Sequence, residues 1–290
     1  MSGLKKLVAE ELALPVDPRV SAMAEAIAKK HGKASRAVLF YGSCLRQKQL
    51  DGLMLDFYLI VSDYRAAYDK KWLAAANRLI PPNVFYFEHD GLVSKYAVLS
   101  DADFAHECSP AAWTVSTAAR FAQPSRLVWS ASAAARKRMV DSVSDATRTL
   151  LGWTVPLLPA GAPPLDVWRR AFQLTFGAEL RAERDDRTDQ IVAADPKRYE
   201  RFASAAGSVL DQRGGNASRW WRGKQRHGKL YSIARLAKAS LTFAGGADYI
   251  VWKINRHAGT DITLKPWQQR HPLLAGISLL PRLLKSGAVR

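Results

Sequence analysis

Cysteine is scarce in this 290-residue chain: Cys44 and Cys108 are the only two. They are too few for a disulfide framework and lack zinc-site spacing, so neither a stapled secreted scaffold nor a thiolate metal centre is expected. Long apolar runs are missing as well. No stretch approaches the ~20 residues that span a bilayer, and the longest near the end, residues 273–284, is interrupted by Pro281. At the start, Lys5 and Lys6 are followed at once by Glu10 and Glu11, which fits neither a signal peptide nor a transit peptide. The chain is expected to stay in the cytoplasm, where it is made. Acids are the third shortage. Of a net charge of +17, +12 falls in residues 216–290, where 14 Lys and Arg face only Asp248 and Asp261. So basic a surface attracts polyanions: nucleic acid, anionic lipid headgroups or nucleoside triphosphates.

What is present is the composition of a folded protein, 48% hydrophobic and 24% charged, in a chain long enough for one large or two modest domains. The periodicity predicts a helix over 17–31, strands over 36–41 and 53–61, and a helix over 68–79 stopped by Pro81-Pro82. Strands over 84–88 and 93–99 flank the turn His89-Asp90-Gly91. From about residue 130 the pattern changes to long helical periods, 132–151, 165–187, 196–212 and 217–244. The expected fold class is α+β: a mixed domain over 1–130, a helical domain over 131–215, and a basic amphipathic C-terminal segment over 216–290.

Residues 40–61, FYGSCLRQKQLDGLMLDFYLIV, carry the chemistry. A strand ends in Gly42-Ser43, a basic segment follows, and the next strand bears one carboxylate, Asp56. Glycine lets the backbone close on a phosphate, and the serine hydroxyl with nearby amides binds its oxygens. Ionising a carboxylate inside an apolar strand is costly without a cation or hydrogen bonds, which marks Asp56 as a ligand for magnesium. Gly-Ser is also an ordinary turn, and Asp56 also suits a strand end. The order strand, Gly-Ser, strand with acid resembles the polymerase-β-like nucleotidyltransferase superfamily. That superfamily carries a second acid two positions on, where this chain has Tyr58; Asp51, Glu88 and Asp90 are the candidates for the missing ligand.

Several motifs in order resemble the mitochondrial-type CDP-diacylglycerol synthase family, also called the translocator assembly and maintenance family. They are the Gly-Ser turn with MLDFYLIV, the segment NVFYFEHDGLVSKYAVLS, AARFAQPSRLVW, and FGAELRAERDDRTDQIVAADPKRYERF over 176–202. Ala97, Ala119 and Gln123 depart from the family's Gly, Gly and Lys. The resemblance implies a nucleotidyltransferase domain over 1–130. It implies that Gly42 and Ser43 bind triphosphate, that Asp56 holds Mg2+ with Asp90 as second acid, and that Lys95 and Arg120 neutralise phosphate; Arg181 joins the phosphate contacts. The activity it implies is cytidylyl transfer from CTP to phosphatidic acid. By composition alone, Asp90-Gly91 is equally a plain hairpin turn, and Lys95 and Arg120 equally solvated charges.

The tail interleaves cations and aromatics: NASRWWRGKQRH over 216–227, then Tyr231, Tyr249 and Trp252. Arg219, Trp220, Trp221, Arg222, Lys224 and Arg226 suit an anionic membrane surface, and peripheral attachment is expected. The same composition suits RNA, and the rings also suit a helical core. Three functions therefore stand open: the lipid cytidylyltransferase, a nucleotidyltransferase acting on an RNA end or small molecule, and a degenerate domain serving as an adaptor. No protein partner is inferable.

Overall fold

The structure, a computed structural model, describes residues 3–47, 50–178, 187–207 and 216–242, with 263, 265 and 266. Five strands form one sheet: β1 (Ser35–Tyr41), β2 (Met54–Val61), β3 (Asn83–His89), β4 (Leu92–Ser100) and β5 (Ser125–Ser130), in the order β3-β4-β2-β1-β5. β2 and β4 run parallel, and the other neighbours are antiparallel. The near-continuous apolar character of β2 follows from cover on both faces. Leu55, Phe57 and Leu59 pack with Met23 and Ile27 of α2 (Pro18–Lys30), while Tyr58 and Ile60 join the larger core on the other side.

That larger core runs from Leu4 in α1 (Gly3–Leu12) through α6 (Asp101–Cys108), α7 (Ser116–Phe121), α8 (Ala133–Thr154), α9 (Pro164–Gly177), α10 (Arg187–Ala193) and α11 (Pro196–Ala206) to Trp221 in α12 (Ala217–Thr242). The fold is thus a mixed five-stranded sheet with a helical layer built largely from the second half of the chain. β5 is the last strand among the described residues. No described helix is long and apolar enough to cross a membrane.

Local chemistry sets the helix ends. Asp17 caps α2 by accepting from the Arg19 amide, with Pro18 at the first helical position, and Ser132 and Asp195 cap α8 and α11 in the same way. The predicted helix over 68–79 begins three residues late, as α5 (Lys71–Leu79), because Tyr68 is extended, and a separate short helix, α4 (Tyr64–Ala67), capped by Asp63, precedes it. The predicted helix over 165–187 ends at Gly177, its remainder lying largely outside the described residues, and the one over 196–212 ends at Ala206 before Gly207, whose φ is +62°. α1, α6, α7, α10, β5 and the short α3 (Ser43–Gln47) are additions to the sequence expectation.

One buried ion pair joins the start of the chain to α11. Arg198, only 6% exposed, donates to both Glu11 carboxylate oxygens, at 2.5 and 2.9 Å, and to the Ala122 carbonyl at 3.0 Å. Its guanidinium lies over Phe202, 4.1 Å from the ring centre.

α12 is tied down along its length. At Gly228 an added Cβ would lie 2.2 Å from the Ala178 carbonyl oxygen, so the crossing of α12 past the end of α9 requires glycine. Further on, the Tyr231 hydroxyl donates to the Leu79 carbonyl, Arg235 to Pro81, and Lys238 to both Ile80 and Pro82. Four successive carbonyls of the turn after α5 are thereby satisfied by one helix. Burial pushes the Lys238 ammonium down to about 7.

Candidate active site

β1 delivers its last residue, Tyr41, beside Asp56 of β2, and Asp56 faces Lys95 of β4, which in turn pairs with Tyr86 of β3. On the other side Tyr41 pairs with Ser125 of β5. Since side chains alternate along strands, these five residues form one row across the whole sheet, on the face that carries the helical layer. The neighbouring row inward includes Tyr58 and Ala97, both buried in the core. Asp56 thus sits where packed core gives way to surface.

The carboxylate is held from two sides. Its Oδ1 lies 3.1 Å from Lys95 Nζ, with 18% of the aspartate side chain and 44% of the lysine exposed. Its Oδ2 is only 2.7 Å from where a Cβ on Gly42 would stand, and Gly42 has φ +100°, a backbone state L side chains rarely adopt. Close approach and left-handed backbone together make this glycine a requirement of the site. Gly42→Ala is therefore expected to cost about 1–2 kcal/mol of stability and also to displace Asp56, lowering any metal-dependent turnover at least about tenfold. Gly161→Ala, at φ +76° with open space around it, serves as the strain-only control: urea midpoints of both variants should fall while activity falls only for the first.

Ser43 opens α3, is half-buried and bonds to the Cys44 thiol. That thiol donates to the Met54 carbonyl at 3.4 Å, and burial pushes it above its ordinary value, so Cys44 is a packed thiol rather than a nucleophile. Arg120 donates to the Ser116 carbonyl of its own helix, α7, at 2.8 Å. Next to it Phe121 packs on Tyr41 and Tyr58, with ring centres 5.7 and 5.1 Å apart. α7 therefore covers the inner edge of the site.

The other acids lie elsewhere. Asp51 is exposed and paired with Arg19 at 2.9 Å. Asp90 and Gly91, at φ +47° and +72°, make the two-residue turn between β3 and β4. Leu92, just past that turn, is three residues of strand from Lys95, about 10 Å. Glu88 lies on the Asp56 face, two strands away and one row outward, and accepts from the Tyr86 hydroxyl. Glu88, His89 and Asp90 with residues 91–93 line a separate concavity of about 320 Å³ at the hairpin tip. Among the described residues no three of His, Cys, Asp and Glu come together as metal ligands. The structure brings Gly42, Asp56 and Lys95 together and leaves Asp51, Glu88 and Asp90 apart from them. Tyr41, Tyr86 and Ser125 were not expected at this row; the register between strands places them there, and strand alternation within β2 alone gives no signal for it.

In the tail, Trp221 is 2% exposed and donates to the Trp153 carbonyl at 2.9 Å. Trp220 stacks on Trp153 at 4.8 Å and donates to the Pro110 carbonyl at 3.2 Å. The two rings hold α12 to the helical layer, so the membrane role expected of Trp221 conflicts with its burial. Lys224 is half-buried, donates to the Ala112 carbonyl and lies 5.0 Å over the Trp220 ring. Burial lowers its ammonium from its ordinary value. Arg219, Arg222 and Arg226 remain exposed. Arg181, Tyr249 and Trp252 lie outside the described residues.

No family model matches this chain, and no curated protein matches it. Among solved structures, a nucleotidyltransferase-like protein from Exiguobacterium sibiricum 255-15 aligns over 92% of each chain, at 9% sequence identity and a TM-score of 0.30. A likeness that weak carries neither fold nor function to this chain.

Proposed function

We propose that this chain is a nucleotidyltransferase that transfers a cytidylyl group from CTP to phosphatidic acid, with Asp56 as its metal-binding carboxylate. The observation that supports nucleotidyl transfer is the junction of Gly42, Asp56 and Lys95: a left-handed glycine pressed on a half-sheltered carboxylate, with a cation on its other oxygen. The choice of CTP and a lipid acceptor rests on the motif resemblance alone.

One carboxylate fits Mg2+, which keeps several waters and takes substrate phosphate oxygens alongside one or two protein carboxylates. Asp56 would hold it; when bound, the ion supplies charge neutralisation at the nucleotide phosphates. The remaining work falls to the protein. Gly42, without a side chain, leaves room for the Asp56 carboxylate at the end of β1, and the Ser43 hydroxyl beside it would bond phosphate oxygens. Lys95, with nearly half its side chain exposed, offsets the repulsion between an incoming phosphate monoester and the triphosphate. That monoester is already an anion near neutral pH, so no general base is needed. Its oxygen attacks the α-phosphorus in line, one P–O bond forms, and pyrophosphate leaves with the electron pair of the bond that breaks.

A second reading, a non-catalytic adaptor, is favoured by Tyr58: at the position of the superfamily's second acid stands a ring 3% exposed and packed on Phe121. Incubation of the full chain with α-labelled CTP, Mg2+ and phosphatidic acid vesicles, or an RNA oligonucleotide, distinguishes these. Labelled CDP-lipid is expected; labelled RNA moves the acceptor to nucleic acid, and no product with any nucleotide leaves the adaptor. CTP is expected to raise the unfolding temperature more than ATP or GTP at equal concentration, and equal shifts overturn the cytidylyl assignment.

A further inference from the structure

Among the described residues five large apolar side chains stand 47–75% exposed: Leu14, Trp72, Leu79, Trp113 and Leu230. Leu79, Leu230 and Trp113 lie near Tyr231. Leu79 is held to Tyr231 through its carbonyl, Leu230 precedes Tyr231 in the chain, and the Trp113 ring lies 6.4 Å from that of Tyr231. Trp72 shares the outward face of α5 with Leu79, two helical turns away. Scattered exposed apolar side chains need no explanation, but three near one tyrosine, with Trp72 farther along α5, do.

The surroundings are cationic. Lys71 and Arg78 are exposed on α5, and Arg219, Arg222, Arg226 and Leu230 follow each other along one exposed stripe of α12. Arg222, Gln225, Arg226 and Lys229 line a shallow concavity of about 210 Å³ one turn from Leu230. Neither α5 nor α12 carries an acid. A basic, anion-sized hollow with the protruding Leu230 one turn away matches the boundary of an anionic bilayer, where phosphates meet acyl chains. Single-stranded nucleic acid asks for aromatic platforms free to stack on its bases; here the Trp113 ring is engaged with His106 and Tyr231, and the most exposed of these side chains, Leu79 and Leu230, are aliphatic.

We propose that the outward faces of α5 and α12 form a peripheral membrane-binding surface, with Leu79, Leu230 and Trp72 entering the interface and Arg222, Arg226 and Lys229 holding lipid phosphates. The proposal deepens the reading of a lipid acceptor and rests on it for its biological sense. It assigns membrane contact to a surface that includes α5 rather than to the tail's tryptophans.

The test is flotation of the full chain with phosphatidylcholine vesicles with and without phosphatidylglycerol, a lipid whose headgroup is not a phosphate monoester and cannot act as the acceptor. The wild-type chain should float with anionic vesicles only, and added salt should release it. The Trp72→Ser/Leu79→Ser/Leu230→Ser variant should bind at least about tenfold more weakly, and Arg222→Glu/Arg226→Glu should also weaken binding, both with unchanged urea midpoints. Flotation by neither wild type nor variant, or by both equally, overturns the proposal. So does a dimer that the serine variant turns into a monomer, or vesicle binding left intact while retention on RNA is lost. Turnover of CTP with a water-soluble short-chain phosphatidic acid, measured on the same proteins, keeps the two readings apart. The serine variant should match wild type there, and absence of turnover in wild type removes the enzyme assignment without touching the surface.

Discussion

Asp56→Asn is expected to lower turnover by about 10²–10³-fold, the size of effect seen when one charge-stabilising group is taken from a preorganised site. Asparagine keeps the shape of the side chain, so Gly42 still meets a planar group at the same distance, but the charge that binds a cation is gone. The fold should tolerate the change. The ion pair lost to Lys95 is partly exposed, 44% on the lysine side, and such pairs contribute about 0–1 kcal/mol. A urea midpoint near wild type together with collapsed turnover is the expected pair of results. Activity above about a tenth of wild type, a barrier change under about 1.4 kcal/mol, excludes Asp56 as the metal carboxylate.

The largest effect on stability is expected at Arg198. Arg198→Met leaves the Glu11 carboxylate, 11% exposed, without its cation and the Ala122 carbonyl without its donor, and breaking a buried pair from one side costs about 3–5 kcal/mol. Adding Glu11→Gln removes the stranded charge, so the double variant should be more stable than Arg198→Met alone, with a coupling on the order of 1–3 kcal/mol. Arg198→Lys keeps the charge but not the two parallel bonds to Glu11, and should fall between. Urea unfolding of wild type, Arg198→Met, Glu11→Gln, the double variant and Arg198→Lys measures all of this. Equal midpoints for Arg198→Met and wild type would mean that the pair contributes nothing and that stacking on Phe202 is equally served by methionine.

The sheet's first four strands were legible because each is bounded by turn residues and buried on at least one side, so apolar period and punctuation agree. β5 was not: its six residues, SRLVWS, begin and end in serine and pair only with β1. α6 and α7, of eight and six residues, are too short for a periodic signal to separate from loop. At the site, Gly42 and Asp56 were readable from local order, and strand alternation makes Lys95 their neighbour once β2 and β4 are known to lie parallel in that register. The acids at Asp51, Glu88 and Asp90 could not be placed in advance, because register and hairpin direction decide which of them share a row. The tail was the hardest to read. A count of charges cannot tell Arg222, in solvent, from Lys238, whose partners are carbonyls more than 150 residues earlier.

The seat of α1 sets an order of events during synthesis. Leu4, Val8 and Leu12 lie in the same core as side chains of α8 and α11, and Glu11 waits for Arg198. At translation rates of about 5–20 residues per second, roughly ten to forty seconds separate the synthesis of Glu11 in α1 from that of its ionic partner Arg198. Over that interval the sheet and α2 can assemble on their own face, whereas α1 has only β5 and α8 to cover its apolar stripe, and only once they are made. Its stripe is short, three buried residues in ten, which limits how strongly it can be captured by the wrong surface. α1 is therefore made well before α11 but fully seated only when α11 arrives and closes the helical layer.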